Sequence, residues 1–186
     1  IGPEIIKQVV ENKRKVRNTL RFILGNLYGY EGDATSKEFS HLDKLMLCRL
    51  KLYSESCAKL FDDFNFPEIV QETIKLCSQD LSAFYFDILK DRLYTEPLTS
   101  QLRQAAQSVL LTALNQILKV IKPILPFLTE EIARQSFPKQ HQESNFIELQ
   151  KDFSIAQLER IQETRSKFME WFNSHGKLDL NAKSTF

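Results

Sequence analysis

"GPEIIKQVVENKRKVRNTLRFILGNLYGYEGD" occupies residues 2–33, and the spacing of its apolar positions decides the fold class. At about 100° per residue, Ile5, Val9, Val16, Leu20, Ile23 and Leu27 fall on one stripe. That predicts an amphipathic helix over about residues 4–28 with the stripe turned toward a core. Pro3 suits the first turn, where its missing N–H costs nothing. Gly29, Gly32 and Asp33 punctuate the other end.

The same periodicity continues along the chain. After a polar loop at 31–40, Ser40 with Asp43 forms a capping-box-like start to "HLDKLMLCRLKLYSESCAKLFDDF" (41–64). Asn65 and Phe66 make a tight turn, and Pro67 opens a long helix, "PEIVQETIKLCSQDLSAFYFDILKDRLY" (67–94), with a kink expected around Asp80–Ser82. "TEPLTS" breaks it. Ser100 caps "QLRQAAQSVLLTALNQILKVIK" (101–122), "PILP" stops that helix, and Thr129 is expected to cap a short one. Residues 137–153 read as irregular or extended. Ser154 with Gln157 then marks a second capping box and a final helix over 155–172. The fold class expected is all-α: an up-down helical bundle over 1–150, with a C-terminal junction helix and a frayed polar tail over 151–186.

Composition agrees. The 186 residues are 42% hydrophobic and 26% charged, with only five Gly and six Pro, which favours long helices over many-turned β structure. The formal net charge is +1, so a case for a polyanionic partner must rest on local clustering. Cys48, Cys57 and Cys77 lack the pairing of a disulfide framework or zinc ribbon and read as small buried hydrophobes. No run reaches the ~20 apolar residues of a membrane helix. The start of the chain has neither Met nor the apolar core of a signal peptide, and reads as a piece of a longer chain. His41, His141 and His175 stand in or beside separate loops. Glu38-x-x-His41 is a single Glu-x-x-His pair, whereas a di-metal bundle site needs two on facing helices and two further Glu. No metal, no cofactor and no catalytic residue are expected in this segment.

One local signal remains. Residues 7–21 carry Lys7, Lys13, Arg14, Lys15, Arg17 and Arg21 against Glu11 alone. Arg14, Arg17 and Arg21 line one stripe beside the core face, with Asn18 and Lys7 just beyond it. Phe22 falls roughly opposite the core stripe and is expected to be uncovered by its own bundle. An Arg row, an amide and a free ring suit unpaired RNA: Arg forks onto phosphate, the amide reads base edges, the ring stacks. A plain solvated face explains the same row. In "LSAFYFDILKDRLY" (81–94), Leu81, Phe84, Tyr85, Ile88 and Leu89 follow helical spacing and are most simply core. Lys90 and Arg92 complement the helix dipole or extend the basic surface. Phe168, Trp171 and Phe172 read as packing.

Taken in order, "KVRNTLRFILGNLY" (15–28), "LSAFYFDILKDRLYTE" (81–96), "RQAAQSVLLTALNQILKVIKPILPFLTEEI" (103–132) and "ESNFIEL" (143–149) closely resemble the anticodon-binding helical domain of class I isoleucyl-tRNA synthetases. The resemblance runs from residue 4 to about 175. Valyl enzymes share that fold but typically carry Asn-Lys-x-Trp-Asn in the first helix; the Arg17–Phe22 and Lys90–Tyr94 segments favour isoleucine. The resemblance implies a parent enzyme that uses ATP and Mg²⁺ to join isoleucine to tRNA-Ile, on a catalytic domain absent from these residues. It implies that this segment positions the tRNA, through Arg17, Asn18 and Arg21 first, then Arg14, Lys15 and Phe22, with Lys90 and Arg92 weaker or at the catalytic-domain junction. A monomer is implied. The alternatives are the corresponding domain of a valyl or leucyl enzyme, or a helical protein-interaction module with no RNA role. The C-terminal zinc module of many bacterial enzymes is absent; Ala133 replaces the family's Trp after "EEI", and Gln150-Lys151 replace a Trp-Pro. These departures point to a diverged bacterial-type enzyme of a eukaryotic organelle, with the mitochondrial matrix the expected location and the cytoplasm the alternative.

Overall fold

The computed structural model describes residues 2–30 and 39–135. The chain divides into two units, Ile1–Leu149 and Gln150–Phe186; the described residues belong to the first. The expectations for Ser154, Gln157, Phe168, Trp171, Phe172 and "ESNFIEL" lie outside them.

The described residues are helical, with no strand among them. The order is α1 (Pro3–Asn26), α2 (His41–Asp62), α3 (Phe66–Lys75), a π-helical segment (Leu76–Tyr85), α4 (Phe86–Thr95), α5 (Gln101–Ile121) and α6 (Pro126–Gln135). α3, the π segment and α4 run on without a break, because Lys75, Leu76, Tyr85 and Phe86 all keep right-handed helical dihedrals. Where a kink is expected near Asp80–Ser82, the helix carries this π segment. Bonding from i to i+5 takes more residues per turn, so the helix face shifts in phase. Leu81, Tyr85 and Leu89 stay buried, but Ile88 is turned out and Phe86 is turned in.

α5 is the central post. Every residue from Gln104 to Leu110 is buried, more than one face of a helix, because neighbours cover it on several sides. Its two glutamines reach sideways. Gln104 Nε2 donates to the carbonyls of Gly29 (2.9 Å) and Leu98 (2.7 Å), and Gln107 Nε2 to those of Asn26 (2.8 Å) and Tyr28 (2.9 Å). These amides satisfy carbonyls at and just past the end of α1, and that of Leu98 in the connection before α5.

α2 is held against the α3–π–α4 rod at three levels. Tyr53 Oη meets Thr73 Oγ1 at 2.8 Å, Arg49 Nε donates to Asp80 at 2.9 Å, and Asp43 lies beside Tyr85 and Arg92. Asp43 is fully buried in the first turn of α2, in the reciprocal capping box with Ser40 that the sequence predicts. Its carboxylate also accepts from Tyr85 Oη (2.7 Å) and from both ends of the Arg92 guanidinium (2.7 and 3.0 Å). Burial alone would raise this carboxyl; the hydrogen bonds from Arg92, Ser40 and Tyr85 and the Arg92 charge outweigh it and hold Asp43 below its ordinary value.

Three expectations are corrected. Ile5 and Val9, placed on the core stripe, are 57% and 61% exposed: the bundle covers α1 only from Val16 onward, so the first half of the helix stands clear of it. Thr129 does not cap α6. That helix begins at Pro126, and Thr129 Oγ1 donates back to the Leu125 carbonyl. Ser100 occupies the N-cap position of α5 without a side-chain capping bond.

Breaking the Asp43–Arg92 pair leaves a buried charge without its partner. Arg92→Ala is expected to cost about 3–5 kcal/mol of stability, read as a lower urea midpoint. Because the folded carboxyl titrates below the unfolded value of about 3.9, its contribution is full above that pH and is lost as pH falls through the folded value. The acid limb of the stability curve should therefore flatten in Asp43→Asn relative to wild type.

Candidate nucleic-acid interface

Three polar anchors fix the rotation of α1. Midway along, the buried Thr19 hydroxyl reaches the π segment, at 3.1 Å from Ser82 Oγ and 3.4 Å from the Cys77 carbonyl. At its end, Gln104 and Gln107 hold the carbonyls described above. On its flank, Arg17 Nη2 pairs with Glu131 Oε1 of α6 at 2.5 Å. With Val16, Leu20, Ile23 and Leu27 buried, the opposite face of α1 is presented outward.

On that face stand Arg14, Lys15, Asn18 and Arg21, all exposed. Arg14 Nη1 pairs one turn back with Glu11 at 3.2 Å, both side chains at least half exposed; such a pair contributes little and is exchangeable. Among the described residues, no hydrogen bond or ion pair engages the Lys15, Asn18 or Arg21 side chains. Two turns separate Arg14 from Arg21, about 10 Å along the axis.

The remaining sequence candidates are placed differently. Arg17 sits at the rim, 43% exposed and engaged by Glu131, with its Nε buried and without an acceptor. Phe22 is not uncovered. Its ring stacks on Phe86 at 4.3 Å and 20°, and it is partly buried against the core, because the π segment turns Phe86 inward toward α1. Lys90 is exposed on α4, paired with Asp87 at 2.6 Å, and that hydrogen bond raises its ammonium. Arg92, with 17% of its side chain exposed, belongs to the Asp43 node; its guanidinium is spent on packing α2 against α4 and is not a surface cation. The structure thus gathers Arg14, Lys15, Asn18 and Arg21, holds Arg17 beside them, and separates Phe22, Lys90 and Arg92 from them.

Sequence reasoning missed Glu131, 114 residues from its partner Arg17, a distance at which no local pattern links two side chains. It also missed Tyr28, whose ring is 68% exposed just past the end of α1.

The arrangement can hold an anion. Burial pushes Cys57 up to about 11 and Cys77 up to about 12, and a thiol at those values reacts poorly. Among the described residues no cluster of His, Cys, Asp and Glu could hold a metal ion, and no helix is long and apolar enough to cross a membrane.

Comparison with known proteins gives the family. Residues 43–184 match the family described as the anticodon-binding domain of tRNA ligase. The isoleucine–tRNA ligase of Fervidobacterium nodosum is 40% identical over 158 residues, 82% of this chain and 17% of that protein. Those of Natranaerobius thermophilus and Caldanaerobacter subterraneus are 38% identical over 147 residues and 42% over 134, covering 77% and 70% of this chain and 16% and 14% of the relatives. The chain spans about a sixth of the length of the curated relatives it matches. The described residues form an all-helical bundle, and with the family matched over residues 43–184 the chain belongs to the anticodon-binding domain family of tRNA ligases.

Proposed function

We propose that the outward face of α1 binds the anticodon stem–loop of tRNA-Ile, and that this chain thereby positions the tRNA for ATP- and Mg²⁺-dependent attachment of isoleucine by a catalytic domain of the same, longer protein, acting as a monomer. The relatives named isoleucine–tRNA ligases support the choice of amino acid. The family match begins at Asp43, in α2, so the part played by α1 rests on its own geometry. The observation that carries it is the group Lys15, Asn18 and Arg21, exposed and free of intramolecular partners among the described residues, on a helix whose rotation is fixed at three points. Guanidinium forks suit phosphate oxygens, and the Asn18 amide offers both a donor and an acceptor to a base edge. Rigidity in the free protein matters, since a helix already ordered loses little entropy on binding.

A second reading has one observation in its favour. Ile5, Ile6, Val9 and Val10 are each more than half exposed on the free half of α1, as a protein-docking helix would be. The two readings differ in what salt does.

Affinity of the full chain for tRNA-Ile should fall steeply as salt rises, through counterion release. Arg14→Ala with Arg21→Ala should flatten the slope of log K against log salt by about 0.7–0.9 for each phosphate that is no longer neutralised. A tRNA gel shift across a salt series reads both, and an affinity indifferent to salt and to the double substitution would favour the protein-docking module.

Glu131→Gln makes a sharper test of Arg17. Removing the carboxylate frees a guanidinium at the rim of the face. Binding should tighten and the salt slope should steepen by about 1, the increment of one further phosphate. Unchanged binding would mark Arg17–Glu131 as a strut between α1 and α6 and nothing more.

A further inference from the structure

An aromatic ring is the element that a loop-binding surface needs and that Phe22 does not provide. Phe22 is stacked inside, on Phe86. The exposed ring that follows α1 is Tyr28. Lys7, Arg14, Arg21 and Tyr28 recur every seven residues, and a seven-residue step drifts only about 20° around an α-helix. The helix proper ends at Asn26, with Leu27 near helical dihedrals, and Tyr28, at the next seven-residue step, lies in the turn just past that end.

The backbone beneath this ring is unusually well held for a helix terminus. The Tyr28 carbonyl accepts from the buried Gln107, and the next carbonyl, of Gly29, accepts from the buried Gln104. Gly29 has φ +76, and a Cβ there would come within 2.8 Å of a Leu98 methyl, so the chain turns tightly against the Pro97–Leu98 bend. Despite those anchors the Tyr28 ring is 68% exposed, and Leu98 and Leu102 at the same end are 43% and 47% exposed. A bare ring on a fixed backbone, at the foot of a cationic row, fits a ligand with flat apolar faces strung on an anionic chain.

We propose that Tyr28 is a stacking platform for an unpaired nucleobase of the bound RNA loop, with Arg14 and Arg21 holding the phosphates that lead to it. This rests on the RNA reading of α1 and extends it from charge to base contact. Stacking is indifferent to salt, whereas the arginine contacts are not, so the two parts separate in one experiment.

The experiment titrates the full chain with an anticodon stem–loop hairpin RNA of tRNA-Ile and, in parallel, with a loopless duplex of the same stem, across a salt series. Tyr28→Ala should weaken hairpin binding by roughly five- to 150-fold, the range for removal of one base–aromatic stack. The salt slope and the duplex affinity should not change. Tyr28→Phe and Tyr28→Trp should keep hairpin affinity within about three-fold, since each retains a ring; retention by both, with weakening in Tyr28→Ala, excludes a role through the hydroxyl. Circular dichroism of Tyr28→Ala should match wild type, because the side chain lies outside the core. Hairpin binding by Tyr28→Ala equal to wild type, with the steep salt slope intact, would overturn the platform and leave the RNA reading standing. Equal weakening for hairpin and duplex would overturn it too. Wild-type binding that is absent or indifferent to salt would overturn both.

Discussion

The carboxylate of Asp43 is the contact on which the arrangement of this bundle depends. It is buried completely at the first turn of α2, where the helix dipole favours negative charge. It gathers the Ser40 amide and hydroxyl, the Tyr85 hydroxyl and the whole Arg92 fork. A buried carboxylate is costly unless its lone pairs are taken; here donors from three elements take them. Tyr85 ends the π segment and Arg92 lies in α4, so one charge sets the sliding register between α2 and the rod opposite. Arg49 with Asp80, and Tyr53 with Thr73, repeat the constraint further along. Apolar packing by itself tolerates sliding; directional bonds at three heights do not.

The π segment follows from this register and passes it on to α1. Its i+5 bonding offsets the faces of α3 and α4. Leu76, Cys77, Leu81 and Tyr85 can thus all face the core, while Phe86 turns under Phe22. Thr19 meets the same segment through Ser82 and the Cys77 carbonyl. Together with the two glutamines of α5, these contacts leave α1 one rotation, and that rotation displays Arg14, Lys15, Asn18 and Arg21. The surface proposed to bind RNA is therefore a consequence of polar bonds on the opposite side of the same helix. Among the described residues no ion pair engages Lys15 or Arg21; Glu11 and Glu131 take Arg14 and Arg17, while Asp43, Glu72 and Asp80 pair with Arg92 and Arg49 between α2 and the rod.

Phe22 shows how a wheel drawn at constant pitch goes wrong. The period sets Phe22 away from the core stripe, but the wheel of one helix carries no information about a second helix packed beside it, and the ring is partly buried on Phe86. Ile88 turns out and Phe86 turns in because the π segment shifts the phase of their own helix. Arg92 fails differently. Its spacing on the helix resembles that of any surface cation near a C-terminus, and its partner Asp43 is 49 residues away. Ile5 and Val9 belong to the apolar stripe, yet the bundle ends before it reaches them.

The sequence by itself determined the helices, the capping box at Ser40–Asp43, the stripe of Val16, Leu20, Ile23 and Leu27, the cationic enrichment of residues 7–21 and the family. These are local properties, set by the 3.6-residue period and by residues within a turn of one another. The tertiary structure alone decided which cations are free. Arg21 and Arg92 are the same side chain on similar helices, and only the folded neighbourhood makes one a surface group and the other the counter-ion of a buried carboxylate. That choice depends on partners far apart in the chain, whose meeting is fixed by packing and by the need to satisfy every buried charge.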